Sequence, residues 1–282
     1  MKPFSLNIRG HLHEYNVPVV MGILNVTPDS FYAESRAFTD EEIARRVRQL
    51  IAQGADIIDV GAYSSRPGAA DVSAAEEMCR LKRGMEILRS IAPQTIVSVD
   101  TFRAEVARTA VTELGCDIVN DISGGNLDPE MMETVAALRC PYILMHMRGT
   151  PSDMQEFTDY EDVTADVLSE LGDRLQQLAF LGVEDIIVDP GFGFSKTMEQ
   201  NYRLMHDLNL FGIFHRPILV GISRKSMITR KLGITTADAL PATTALNTLA
   251  LDRGADILRV HDVAAARHAV EMYTTVTSAG KH

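Results

Sequence analysis

Four times the chain repeats one short pattern: a glycine, a turn of one to three residues holding an acid, an apolar run, and a polar residue where the run stops. Gly54-Ala-Asp56 leads into Ile57-Ile58 and Asp59, and Gly115-Cys-Asp117 leads into Ile118-Val119 and Asn120. Gly182-Val-Glu-Asp185 leads into Ile186 to Val188 and Asp189, and Gly254-Ala-Asp256 into Ile257-Leu258 and Arg259. A glycine that ends a helix, a tight loop and a short β-branched strand read as the αβ half of a βα unit, and strands apolar on both sides are parallel and buried. Filling in the rest gives eight strands alternating with eight helices. In 282 residues that alternation predicts an α/β protein, a (β/α)8 TIM barrel forming a single domain over residues 1–282, in preference to an open doubly wound sheet.

The expected strands are Val19 to Leu24, Ile57 to Val60, Thr95 to Val99, Ile118-Val119, Tyr142 to Met145, Ile186 to Asp189, Ile218 to Val220 and Ile257 to Val260. Residues 4 to 16 alternate around Gly10 and predict an N-terminal β-hairpin that plugs the barrel floor. Helix starts are marked by Thr39 with Glu42, Ser73 with Glu76 and Thr197 with Gln200, all in capping-box spacing, by Asp128 with Pro129, and by Asp262. The first helix is expected to bury Ile43, Val47, Leu50 and Ile51, and the second Met78, Leu81, Met85 and Leu88. A short helix is expected before the main seventh helix near residues 242–253.

Composition removes several function classes. A formal charge of −11 argues against nucleic acid as a partner, because phosphate backbones require a basic footprint. No run reaches membrane-spanning length, and the N-terminus lacks the apolar core of a signal peptide, so the expected location is cytoplasmic. Cys79, Cys116 and Cys140 are widely spaced, which excludes a disulfide framework or zinc knuckle and suits a reducing compartment. Gly191-Phe-Gly-Phe-Ser-Lys196 has neither dinucleotide nor P-loop spacing.

In a barrel of this type the C-terminal strand ends converge on one mouth. Here they carry Asn25, Asp59, Asp100, Asn120, His146, Asp189, Lys225, Arg259 and His261. Asp59 fits a structural pair better than a ligand contact, His146 fits a satisfied core histidine as well as a ligand contact, and Asn120-Asp121 fits turn chemistry. The remaining charges are costly to gather unless a polar ligand meets them. Carboxylates and an amide suit a flat heterocycle with N–H donors, while Lys, Arg and His suit an attached anion.

Eight stretches, in order, carry a resemblance to a known family. They are Met21-Gly-Ile-Leu-Asn-Val-Thr-Pro-Asp-Ser-Phe31, Ser65-Arg-Pro-Gly68, Ser98-Val-Asp-Thr101, Asn120-Asp121, Met145-His-Met-Arg-Gly149, Asp189-Pro-Gly-Phe-Gly-Phe194, Ser223-Arg-Lys-Ser226 and Arg259-Val-His-Asp262. Together they resemble the dihydropteroate synthases of the folate pathway, from about residue 19 to 270. The resemblance implies a transferase joining 6-hydroxymethyl-7,8-dihydropterin diphosphate to 4-aminobenzoate, a target of sulfonamides, often a homodimer. It implies pterin contacts from Asp100, Asn120, Asp189 and Lys225, and substrate contacts from Met145 and Gly221. It implies diphosphate contacts from Asn25, Arg259 and His261, with Mg2+ held by Asn25 and the diphosphate. It implies an aminobenzoate pocket from Ser65, Arg66, Pro67, Phe194 and Ser226, and catalytic roles for Asp100, Lys225, Arg259 and His261. Two loops depart from the family pattern: Ala62-Tyr-Ser-Ser65 stands where Gly-Glu-Ser-Thr is usual, and Phe31-Tyr-Ala-Glu-Ser-Arg36 where Ser-Asp-Gly-Gly follows the Phe. A pterin-dependent methyltransferase domain and a pterin-binding paralogue without turnover are the competing readings.

Overall fold

A computed structural model of the chain describes residues 3–27, 39–63 and 72–280. Within them β1 (Phe4–Ile8) and β2 (His11–Tyr15) form an antiparallel hairpin. Then follow β3 (Val19–Asn25), α1 (Asp40–Ala52), β4 (Ile57–Gly61), α2 (Ala74–Ile91), β5 (Ile96–Asp100), α3 (Ala104–Thr112), β6 (Ile118–Asp121), α4 (Met131–Leu138) and β7 (Tyr142–Met145). The chain continues through α5 (Val163–Phe180), β8 (Ile186–Asp189), α6 (Met198–His206), β9 (Leu219–Val220), α7 (Ser226–Leu232), α8 (Leu240–Asp252), β10 (Ile257–Val260) and α9 (Val263–Ala279). Eight strands pair in parallel in the order β8-β7-β6-β5-β4-β3-β10-β9. The two ends meet through a Val188–Ile218 bridge, and the Val188 N–H donates to the Pro217 carbonyl at 2.9 Å. The sheet is therefore closed, as the alternation predicts.

The repeated pattern has a specific geometry. Its four glycines, Gly54, Gly115, Gly182 and Gly254, all adopt positive φ, from 72° to 99°, which lets each helix turn back without a Cβ clash. Its acids close the sheet's lower rim. Asp56 accepts from the Val20 N–H at 2.7 Å, Asp117 from Val97 at 2.9 Å, and Asp256 from Ile218 at 3.0 Å, each satisfying the neighbouring strand's backbone. Asp185 reaches instead to the hairpin, accepting from Asn7 at 3.1 Å.

The hairpin is a plug. Leu6 and Ile8 pack with Val19, Met21, Ile57, Ile118, Ile143, Ile187, Leu219 and Ile257, the inward residues of the strand feet, and all are buried. A second layer between strands and helices includes Val20, Ile58 and Val60 against Ile43, Val47 and Leu50. The capping boxes at Thr39–Glu42 and Thr197–Gln200 form as expected, and Ser73 caps α2 through the Glu76 N–H.

Four expectations need correction. Ile51 is exposed, because the buried face of α1 is already complete with Ile43, Val47 and Leu50. Met78 is only half-buried, and Glu77 takes the inward place beside Arg103. Asp128 is not itself the N-cap of α4, which is Glu130; its Oδ1 accepts from the Glu130 N–H at 3.0 Å, and its Oδ2 accepts from the Ala104 N–H at 2.7 Å and so also caps the neighbouring α3. Asp262 precedes α9 but makes no cap bond, because Arg224 takes both its oxygens at 2.8 and 2.7 Å.

Truncating the plug tests its contribution. Leu6→Ala should lower unfolding stability by about 2–4 kcal/mol in chemical denaturation, the cost of a cavity on a closed floor. A loss below about 0.5 kcal/mol would show the hairpin to be peripheral.

Candidate active site

Strand register sets three polar residues and a glycine side by side. Asn25 pairs with Gly61, Gly61 with Asp100, and Asp100 with Asn120, so the ends of β3, β4, β5 and β6 form one row across the mouth. The glycine leaves room above the row. A Cβ at Gly61 would lie 3.5 Å from both Asn25 Oδ1 and Asp100 Oδ2, so an amide oxygen and a carboxylate face one gap.

One layer deeper, Asp59 is fully buried. It accepts from Arg259 Nε at 2.6 Å and from Asn120 Nδ2 at 3.3 and 3.2 Å. Arg259 Nη2 donates to Asp100 at 2.6 Å, so one guanidinium from β10 spans carboxylates of β4 and β5. Among the described residues its Nη1 has no hydrogen-bond partner. Burial works against the Arg259 charge, but Asp59 and Asp100 outweigh it and hold the guanidinium protonated. Burial raises Asp100 from an ordinary 3.8 to about 7, Arg259 opposing and Asp59 adding to the rise. Asp59 is thus the structural partner its chemistry suggested.

The opposite side is built by the loop after β8. Asp189, raised by burial against the pull of Lys225, accepts from the Gly191 N–H at 2.8 Å. Gly191 has φ 75°, and a Cβ there would lie 1.9 Å from the His146 carbonyl, so no larger residue fits. Lys225 donates to the Phe192 carbonyl at 2.5 Å, and its ammonium sits 4.6 Å from the Phe194 ring centre. Burial lowers Lys225 to about 8, with Asp189 opposing. Met145 is buried with Ile122, Met147 and Met154, and Phe194 packs against them. Gly221 lies beneath Arg259, its virtual Cβ 3.8 Å from the arginine Cβ. Ser226 opens α7 and is exposed.

His261 enters as a neutral imidazole. Burial and the adjacent Arg259 lower it to about 4, and its Nδ1 and backbone N–H share the Ser223 hydroxyl at 3.0 and 3.2 Å. Arg46 donates to the carbonyls of His261 and Ile23 at 2.6 and 3.3 Å, tying β10 to β3. His146 contacts no mouth residue of the row; its ring bonds Lys196 and Glu170 at 3.0 Å each, which makes it a satisfied core histidine. Arg46 and Glu170 were not singled out from sequence, and Ser223 and Lys196 stood only inside quoted stretches, because the histidines that give them their places, His146 for Glu170 and Lys196 and His261 for Ser223 and Arg46, lie 24 to 215 residues away. Ser65, Arg66 and Pro67 lie outside the described residues, as do residues 28–38. At the edge of that gap, Tyr63 packs edge-on to Phe102 at 5.0 Å, and Arg103 stacks on both rings while pairing with the buried Glu77.

Comparison with known proteins decides the family. The chain matches the family described as "pterin binding enzyme" over residues 21–261. It is 38% identical over 268 residues to the dihydropteroate synthase of Haemophilus influenzae, covering 94% of this chain and 96% of that one. The chain belongs to the dihydropteroate synthase family. A mitochondrial folate synthesis bifunctional protein of Arabidopsis thaliana is 42% identical over 86% of this chain, which spans only 47% of that longer protein. The chain thus covers about half the length of some relatives and nearly all of others. The solved Xanthomonas albilineans dihydropteroate synthase with 4-aminobenzoic acid superposes with a TM-score of 0.89 at 36% identity, covering 97% of this chain and 98% of that one. No described helix is long and apolar enough to cross a membrane.

The charge arrangement of this dihydropteroate synthase family site carries a pH dependence. The folded protein keeps the Asp100 proton up to about 7 while the unfolded chain releases it near 3.8. Stability from this group is therefore fully present below about pH 4 and declines as pH rises towards 7. Asp100→Asn should flatten that decline and gain about 1–3 kcal/mol on the wild type between about pH 5 and pH 8 in denaturant titrations. A variant that follows the wild-type slope would place the titration elsewhere.

Proposed function

We propose that this chain condenses 6-hydroxymethyl-7,8-dihydropterin diphosphate with 4-aminobenzoate, yielding 7,8-dihydropteroate and diphosphate. The observation that carries this reading is the gathering of Asp100, Asn120, Asp189, Lys225 and Arg259 around one mouth in a chain of the dihydropteroate synthase family. The same gathering disfavours a methyl transfer role, which has no use for basic groups aimed at a diphosphate.

Asp189 accepts from the pterin's amino and ring N–H groups, Asn120 and Asp100 hold the far edge, and Lys225 donates to the ring's acceptor side. Met145 and Gly221 line the ring pocket. Arg259 uses its unpaired Nη1 on the diphosphate, and His261 offers a neutral hydrogen bond there. Phe194 and Ser226, with Ser65, Arg66 and Pro67, form the aminobenzoate side.

Mg2+ fits the donor set. Asn25 is exposed at its strand end with its amide oxygen on the gap above Gly61. Such a cation keeps most of its waters and needs one or two protein oxygens besides substrate phosphates, so the lack of any three-residue His, Cys, Asp or Glu cluster among the described residues is compatible with it. Bound through Asn25 and the diphosphate, it would supply positive charge to the leaving group.

The reaction follows an SN1-like path. The bond between the pterin methylene carbon and the diphosphate oxygen breaks first, and its electron pair leaves with diphosphate. Arg259 meets that charge and neutral His261 adds a hydrogen bond, and the methylene cation is delocalised into a ring held beside Asp100. The neutral arylamine then forms the C–N bond and loses a proton to solvent or diphosphate. No protein nucleophile is required. Three free cysteines suit the cytoplasm, and the exposed Leu249, Met272 and Val276 of α8 and α9 suit a homodimer packed through outer helices.

The direct test is diphosphate release from purified protein with the pterin diphosphate and Mg2+, with and without 4-aminobenzoate. Release that depends on 4-aminobenzoate and yields dihydropteroate supports the reading; tight pterin binding without condensation overturns it in favour of a paralogue that only binds. Asp189→Ala should weaken pterin diphosphate binding by about 1–3 kcal/mol, since buried ring donors lose their partner. Near-native affinity in that variant would remove Asp189 from the pocket.

A further inference from the structure

Behind the mouth lies a chain of polar groups that the reaction does not touch. Lys196 is 3% exposed and its ammonium has three acceptors: the Gly191 carbonyl at 3.1 Å, the Phe194 carbonyl at 3.0 Å and His146 Nδ1 at 3.0 Å. An ammonium carries three N–H groups, so every donor is used. Burial lowers Lys196 to about 7, and with its third proton in place this arrangement sets the imidazole tautomer. Nδ1 accepts, so Nε2 bears the hydrogen and donates to Glu170 Oε2 at 3.0 Å. Glu170 in turn accepts from Arg148 at 2.9 and 2.5 Å, and the Arg148 backbone N–H donates to the Ser195 hydroxyl at 2.9 Å. The inner members are nearly sealed, His146 at 4% exposure, whereas the Glu170 side chain is 42% exposed, so the chain runs from the loop core to solvent beside α5.

Two lysines therefore grip one loop from opposite sides. Lys225 holds the Phe192 carbonyl from the mouth, and Lys196 holds Gly191 and Phe194 from behind. The gripped loop also aims the pocket's charges, because the Gly191 N–H orients the Asp189 carboxylate. A loop with three carbonyls held by the buried Lys196 and the half-buried Lys225 cannot relax without moving Asp189 and Lys225 together.

We propose that Lys196, held by His146, is a positioning residue for the pterin pocket: it fixes the 191–194 loop, and through it Asp189 and Lys225, before substrate arrives. The proposal rests on the reading of Asp189 and Lys225 as pterin ligands. Lys196 touches no reacting atom, and its effect falls on pterin affinity rather than on the aminobenzoate side.

The experiment compares Lys196→Met, His146→Leu and His146→Asn with the wild type. It measures calorimetric binding of the pterin diphosphate, steady-state constants for both substrates, and thermal melting. Lys196→Met and His146→Leu should raise the pterin diphosphate Kd about tenfold or more while the KM for 4-aminobenzoate stays within about threefold. His146→Asn keeps an acceptor where Nδ1 stood, and should restore the Kd to within about threefold of wild type. If Lys196→Met does not fold, the two His146 variants give the answer. A folded Lys196→Met or His146→Leu with pterin affinity within about twofold of wild type overturns the proposal. So does His146→Asn behaving like His146→Leu, which would make the histidine a matter of packing. A wild type that binds pterin diphosphate without condensing it sinks the synthase reading, and the Kd comparison then still decides this one. A wild type that binds no pterin diphosphate overturns both.

Discussion

The mouth of this barrel is organised by a single buried guanidinium. Arg259 crosses from β10 to carboxylates on β4 and β5, and Asn120 from β6 reaches the same Asp59. Four strand ends are thus tied to one charge. A buried ion pair of this kind is weak evidence for net stability, because desolvating three charges offsets much of their attraction. What it supplies is geometry. Burial holds the Asp100 proton to about 7, with Arg259 opposing and the second acid, Asp59, adding to the rise. Lys225, lowered to about 8 near a buried Asp189, shows the same tension on the far side. Groups poised this way are those whose ionisation a polar ligand can change.

Much of the fold was legible because its rules are local. Capping boxes at Thr39 and Thr197 act over three residues, and the glycine of each repeat needs only its own positive φ. The convergence of Asp100, Asn120, Asp189 and Arg259 followed from strand ends in a closed sheet. What stayed hidden depends on distant partners. Asp128 looked like a cap only for the helix beside it in sequence, yet its second oxygen caps α3, because the loop after β6 folds back over that helix start. Asp262 was claimed by Arg224 from another strand end. His261 could be read as a cation from its residue type, but burial beside Arg259 makes it neutral.

The departures from the family pattern are partly accommodated by neighbours. Tyr63 stands where an acid is usual, and it meets Phe102 and Arg103 instead of contributing charge. The counter-ion for Arg103 comes from Glu77 on α2, a buried acid whose place a hydrophobic stripe would have given to Met78. Burial raises the Glu77 carboxyl against the pull of Thr101 and Arg103.

The central claim, that Arg259 and Asp59 act as one unit holding the mouth, is tested most directly by a double-mutant cycle. Arg259→Met, Asp59→Leu and the double variant would be unfolded in denaturant beside the wild type. Arg259→Met alone should cost about 3–5 kcal/mol, because it leaves Asp59 buried without its charge partner. The double variant should recover a large part of that loss, giving a coupling of about 2–3 kcal/mol. Costs that add to within about 0.5 kcal/mol would contradict the account and reduce the clamp to two independent contacts.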